Sequence, residues 1–322
     1  HRLAVAVAQA GGLGAIPAAM LGPDALRAEL TAFRQQAPGA PVNVNFFCHT
    51  PPGPQPEAMS RWLHTLQPYF QAHGIDPASL PAGPGRQPFN TEMADVLQDF
   101  RPEVVSFHFG LPAPALLARV RAWGTRILAS ATTVDEGLWL QAQGVDAVIA
   151  QGLEAGGHRG HFLSDDLSVQ MGTLALVPQL VQALQVPVIA AGGIATPAAV
   201  AAALALGASA VQVGTAYLLC PEATTSQLHR AALQSDAARH TALTRLFSGR
   251  PARGIVNRLM RELGPMHEAA PPFPLATAAL APLRAAAEQQ GQTDFSPLWS
   301  GQSAGLCRPM PAQDLTRWLA GH

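Results

Sequence analysis

Residues 146–161, DAVIAQGLEAGGHRGH, place an imidazole and a guanidinium, His158 and Arg159, just after an apolar run. The run from Asp146 to Ala150 is short and nearly all apolar, as a strand buried on both faces must be. Glycines around His158 let backbone approach a ligand closely, and imidazole titrates near neutral pH. Folds built of βα units gather their polar chemistry at the C-terminal ends of strands, where this loop would sit. His158 is therefore read as a chemical group; the alternative is a structural histidine bonded to a carbonyl. Glu154 could orient a neighbour or be solvated. His158 and His161 have HxxH spacing, but no third ligand stands nearby, so no metal is expected.

Two further stretches, AAGGIATP (190–197) and AVQVGTA (210–216), each end a strand in glycine ahead of a helix start. Thr196 is a plausible N-cap, with Pro197 at the first helical position. Backbone N–H groups at such ends bind anions without a charged side chain, and barrels hold phosphate on the loops after their last two strands. The glycines of these loops are thus read as a phosphate cradle rather than as ordinary turns. In SFHFGLP (106–112), His108 ends a strand two before the His158 loop, within reach across a barrel mouth; a core histidine is the alternative. Asn45 ends PVNVN and could hold a planar heterocycle or cap its loop. SGRPARGIVNRL (248–259) and LWSGQSAGL (298–306) form a fourth signal, in which Arg250, Arg253 and Arg258 could receive an anion or form surface pairs.

These residues need a frame, and the periodicity supplies one. Short apolar runs at 13–19, 41–47, 104–109, 126–131, 146–150, 186–191 and 210–214 read as strands. Helical stretches at 1–10, 24–36, 57–73, 91–100, 114–123, 134–143, 173–184 and 197–206 separate most of them. Repeated βα units mean an all-parallel sheet. The expectation is a TIM (β/α)8 barrel whose first strand lies ahead of residue 1, plus a small C-terminal and inserted helical domain. Residues 1–223 would form the barrel, with a helical and loop insertion at about 48–100. The Pro- and Gly-rich part of it, 76–90, reads as an ordered surface loop. Residues 224–322 show no βα units and read as helices and Pro-rich loops packed on the barrel.

Composition removes several function classes. The chain has 322 residues, a net charge of −1 and 13% charged residues. That leaves no basic footprint for nucleic acid and no polybasic surface for membranes. No apolar run reaches the length of a membrane span. Three widely spaced cysteines point to a reducing compartment, the cytoplasm. All 20 basic residues are arginine, which excludes a lysine Schiff base and a Walker-type lysine.

Taken together, QGLEAGGHRG, SFHFGLP, NVNFFCHTPP, AAGGIATPAAVAAALALGASAVQVGTAYL and SGRPARGIVN resemble the nitronate monooxygenases, formerly 2-nitropropane dioxygenases, over most of the chain. The resemblance implies a TIM barrel with a small helical domain and a non-covalent FMN. It implies oxidation of alkyl nitronates by O2 to a carbonyl compound and nitrite, through a flavin semiquinone. Asn45, Gln151, Gly156, Gly193, Gln212, Val213, Gly214 and Thr215 would touch FMN. His158 would be the active-site histidine and His108 a second one lining the substrate pocket. Protonated, His158 would hold the nitronate oxygens; neutral, it could remove the α-proton of a nitroalkane. The partners would be a small-molecule nitronate and O2, with a homodimer left open. Two departures stand out: the family's N-terminal flavin-touching strand lies outside this sequence, and a pocket rich in tyrosine has only Tyr69 and Tyr217 to draw on. A flavin-type enoyl-acyl-carrier-protein reductase using NAD(P)H and a non-catalytic FMN or phosphate-binding barrel are the competing readings.

Overall fold

The computed structural model describes residues 1–80 and 86–322, so the 81–85 part of the expected surface loop lies outside it. Its frame is a parallel sheet. Strands β1 (Gly14–Pro17), β2 (Val42–Phe47), β3 (Val104–His108), β4 (Arg126–Ala131) and β5 (Ala147–Gln151) pair in sequence order. A two-residue strand β6 (Gly157–His158) leaves the sheet, and β7 (Val188–Ala191) and β8 (Ala210–Gln212) complete it. The seven strands match those expected, each within a few residues at its ends. The order runs from β1 to β8 without closing, giving a curled, open TIM-like sheet.

The helices that cover it form for local reasons. In α2 (Pro23–Gln36), Pro23 starts the helix and Leu26, Leu30 and Phe33 bury one stripe. Asn90 caps α4 (Thr91–Phe100) by accepting from the Met93 amide, and Thr133 caps α6 (Val134–Ala142) through the Glu136 amide. Thr196 caps α8 (Pro197–Ala205) as its sequence suggests. Helices α1 (Arg2–Gln9), α5 (Pro114–Ala122) and α7 (Thr173–Ala183) complete the layer.

Alternation decides what each strand offers. Val44, Phe46, Val105, Phe107, Ile127, Ala129, Val148 and Ala150 belong to the core between sheet and helices. Their neighbours Asn45, Phe47, Ser106, His108, Ser130 and Gln151 must therefore point to the sheet's other face, inside the curl. Parallel register aligns Phe47 with His108, Asn45 with Ser106 and Gln151 with Ala191, so these side chains gather at one end.

The C-terminal third adds a short sheet to the helices and Pro-rich loops expected of it. A hairpin, β9 (Thr241–Thr244) and β10 (Ala252–Ile255), adds β6 to form a three-stranded antiparallel sheet. These runs are four residues each and carry no short hairpin-turn signature, so the sequence pattern does not announce them. Helices α9 (Gln227–Leu233), α10 (Arg258–Leu263), α11 (Ala276–Gln289) and α12 (Ala312–Leu319) complete this part of the chain. A second apolar core joins Trp62, Leu66 and Phe70 of the inserted helix α3 (Pro56–Ala72) to Phe247, Met260, Leu283 and Phe295. Helix α4 belongs instead to the main core, and α12 packs its Leu315 and Leu319 beside Ala6 of α1.

Candidate active site

His158 is held from three directions. Its own strand β6 pairs with β10, opposite Ala252. Its carbonyl accepts from Gln151 Nε2 at 2.9 Å and from His108 Nε2 at 3.1 Å. Gln151 Oε1 accepts from the Gly160 amide at 2.7 Å, so one amide side chain laces both sides of the loop. The glycine-rich loop is thus a buried strand and not a slack turn. Gly156 is required by close approach: a Cβ there would lie 2.5 Å from the Gly301 nitrogen and 2.6 Å from the Ser300 carbonyl carbon.

The ring of His158 faces a different set of groups. Nε2 lies 2.8 Å from Ser248 Oγ and 3.3 Å from Arg86 Nη1. A guanidinium only donates, so the Arg86 contact is attractive with the proton on Nδ1 and the lone pair on Nε2. Burial, reinforced by Arg86, His108, Arg250 and His49, holds the His158 pKa well below its usual value. The imidazole is therefore neutral at physiological pH. Around it stand Phe47, Phe109, Phe273 and Trp299, with ring centroids 5.4–6.0 Å from its own. Phe109 takes a left-handed backbone (φ 71°), a strained conformation for a bulky residue and one that clusters at functional sites.

His108 is held through both ring nitrogens. Nε2 is used on the His158 carbonyl, and Nδ1 meets Ser130 Oγ at 3.0 Å. Burial is the first cause of its depressed pKa of about 3. Both nitrogens are committed to the protein, so His108 works as a strut between β4 and the His158 backbone. Arg159 is fully buried and turned away from the site. It donates to the carbonyls of Gly152 and Gln151, at 2.6 and 2.8 Å, and to Gln170 Oε1 at 2.8 Å. Glu154 is not solvated: its carboxylate accepts from the Thr173 amide, capping α7 where the helix dipole favours negative charge. His161 sits 3.5 Å from Asp165, apart from His158's partners.

The other expected residues lie along the strand ends. Asn45 Oδ1 accepts from Ser106 Oγ at 2.8 Å, and Asn45 stays partly exposed. Gln212 and Gly214 are exposed after β8, and a Cβ at Gly214 would meet nothing within 4 Å. Gly193 has φ 72°, and its carbonyl accepts from Ser303 Oγ at 2.7 Å. Thr215 Oγ1 accepts from the Gly301 amide at 3.0 Å. Val213 packs into the apolar cores, which leaves only its backbone for a ligand. The β7 and β8 ends therefore form an open, glycine-edged cradle braced by residues 301–303. Of the three candidate arginines, Arg250 reaches the site, stacking 4.2 Å over Phe109 and donating Nη2 to the His161 carbonyl. Arg253 Nε donates to the Leu153 carbonyl at 2.8 Å, and Arg258 pairs with Glu262 and Asp294 on the surface.

The nitronate monooxygenase family model matches residues 1–321. The chain belongs to the nitronate monooxygenase family. It is 41% identical over 326 residues to the nitronate monooxygenase of Pseudomonas aeruginosa, covering 98% of this chain and 91% of that one. It is 40% identical over 327 residues to the nitronate monooxygenase of Paraburkholderia phytofirmans, covering 98% and 87%. The structure of nitroalkane oxidase from Streptomyces ansochromogenes superposes with a TM-score of 0.89 at 40% identity, covering 99% of this chain and 90% of that one. FabK from Thermotoga maritima is more distant, with a TM-score of 0.73 at 26% identity, covering 99% and 87%.

Within the family frame, the two tyrosines stand outside the box. Tyr69 Oη bonds Glu262 and Tyr217 Oη bonds Thr316 Oγ1, each at 2.8 Å. The pocket's rings are phenylalanines and a tryptophan. Sequence reasoning missed Arg86 and Phe273, and singled out the stretches that hold Phe109, Ser248 and Trp299 without naming those residues. The run of charge-bearing and aromatic residues in otherwise Pro- and Gly-rich loops was the one available signal.

Proposed function

We propose that this protein oxidises alkyl nitronates with O2 to a carbonyl compound and nitrite, on a bound FMN. The observation that carries the reading is the neutral His158 ring, boxed by four aromatic rings with Arg86 and Ser248 at its Nε2. The residues fit a flavin mononucleotide. Backbone at Gly193, Gly214 and Thr215 would hold the phosphate, where Gly214 faces open space. Asn45 and Gln212 offer exposed polar groups at the strand ends, and Gly156 brings backbone close. Gln151 contributes by fixing the loop, since its amide is used within it. When bound, FMN supplies the electron acceptor. His158 Nε2 carries the lone pair that takes the α-proton of a neutral nitroalkane, converting it to the nitronate. The aromatic walls exclude water and strengthen the attraction between arginine and anion.

The division of labour we propose gives the parallel sheet and its helices to the cofactor. The unit of α3 with residues 241–295 then covers the substrate. The three unpaired cysteines support a cytoplasmic location, and among the described residues no helix is long and apolar enough to cross a membrane.

Purified protein should show an FMN spectrum, and nitrite should appear when propyl-1-nitronate is added in air. Protein loaded with FMN that releases no nitrite from nitronates would overturn the reading. Rapid anaerobic bleaching by NADH would favour the enoyl reductase chemistry instead.

A further inference from the structure

Arg86 is a buried-side cation with no acidic counterpart. Burial alone accounts for the lowering of its pKa, with no carboxylate contributing, and none pairs with it among the described residues. Its Nε donates to Met20 Sδ at 2.9 Å, a weak acceptor, and its Nη1 to His158 Nε2 at 3.3 Å. The guanidinium carbon lies 5.6 Å from the Phe273 ring centroid, and Phe273 in turn faces His158. Arg250 contrasts with it. Its guanidinium is braced by Phe109 and the His161 carbonyl, and Asp165 and Glu136 offset its charge.

Arg86 is also placed and not trailing. His49 Nε2 bonds its carbonyl at 2.9 Å, and three residues on the Phe89 amide donates to the Phe47 carbonyl at 2.8 Å. Both tethers run to the end of β2, the strand that supplies Phe47 to the aromatic box. An uncompensated guanidinium fixed at the lip of an apolar pocket favours an anion strongly, because low polarity magnifies the attraction. Its fork of parallel N–H groups matches a planar group with two oxygens. A nitronate is such a group.

We propose that Arg86 is the anion anchor of the substrate, exchanging its contact with His158 Nε2 for the two oxygens of the nitronate. The residue thereby selects the anion. The substrate's identity here rests on the function proposed above; the anion site does not.

The test uses Arg86→Met, which keeps much of the stem and removes the charge, and Arg86→Lys, which keeps a charge without the fork. For Arg86→Met the KM for propyl-1-nitronate should rise about 10- to 100-fold, the range for losing a charged hydrogen-bonded contact. Arg86→Lys should fall between it and the parent. Calorimetric titration with nitrate, an inert planar oxyanion, should show the same order of affinities. A KM and a nitrate affinity within twofold of the parent in Arg86→Met would overturn the proposal. If the parent turns over no nitronate, the proposed function falls, and the nitrate titrations still decide Arg86. Should Arg86→Met destabilise its loop, unaltered KM and nitrate affinity in Arg86→Lys would overturn the fork requirement.

Discussion

His158 lies where two unlike walls meet. One is the barrel wall, made of Asn45, Ser106, His108, Ser130 and Gln151 on successive strands, each satisfied by a neighbour. The other is gathered from distant loops: Arg86, Phe109, Ser248, Arg250, Phe273 and Trp299. The first wall closes its hydrogen bonds internally and leaves no charge exposed. The second relies on stacked rings and guanidinium groups, one of which, on Arg86, has no carboxylate partner among the described residues. Closed networks fix geometry, whereas open charge recruits a ligand. The barrel wall aims the histidine, and the loop wall chooses what it meets.

That contrast breaks most sharply at the junction. His158→Ala should leave the fold and the glycine cradle in place while lowering turnover ~10²–10⁴-fold, the usual effect of losing a positioned acid–base group. Nitrite release from a neutral nitroalkane, with FMN content measured alongside, checks it, and undiminished turnover would assign the chemistry to the loop wall alone. A second substitution attacks the bracing of the barrel wall. Gly156→Ala forces a Cβ into backbone at 300–301 and should cost about 2 kcal/mol. Thermal unfolding should show it as a Tm lower by ~3 °C; an unchanged Tm would mean the 300–303 segment is free to shift.

The smallest effect concerns acid. His108, His158 and His161 are held neutral in the fold, two of them with pKa values of about 3 and about 4, against 6.5 for a free imidazole. Below about pH 6.5 the unfolded chain therefore binds more protons than the folded one, and stability declines as pH falls. Each histidine contributes up to ~1.4 kcal/mol per pH unit until its folded pKa is reached. Urea midpoints at pH 7, 6 and 5 should fall, and His161→Gln should make the fall shallower. A slope identical to the parent's would show that His161 takes no part.

The two walls differed equally in how far sequence revealed them. Strand ends such as VVSFH and VNVNFF are governed by period-2 alternation, so their positions and their inward residues follow from pattern. His158 itself was legible as chemistry, although its two-residue strand was not, because pairing with β10 comes from tertiary contact. The bracing of His108 was not legible, since its position says nothing of both nitrogens being occupied. Arg86, Phe273 and Trp299 belong to loops without period.

The pairing of β6 with β10 also sets an order in time. Synthesis that has reached Gly214 has delivered all seven parallel strands, and domains begin to fold from the N-terminal side as they emerge. The partner of His158 at Ala252, the Arg253 bond to Leu153 and the strap at Gly301 and Gln302 still lie ahead. Those contacts are long in sequence and form late. A nascent chain therefore passes through an interval in which the barrel frame can be complete and the enzyme silent, with the histidine loop waiting for the segment that will seat it.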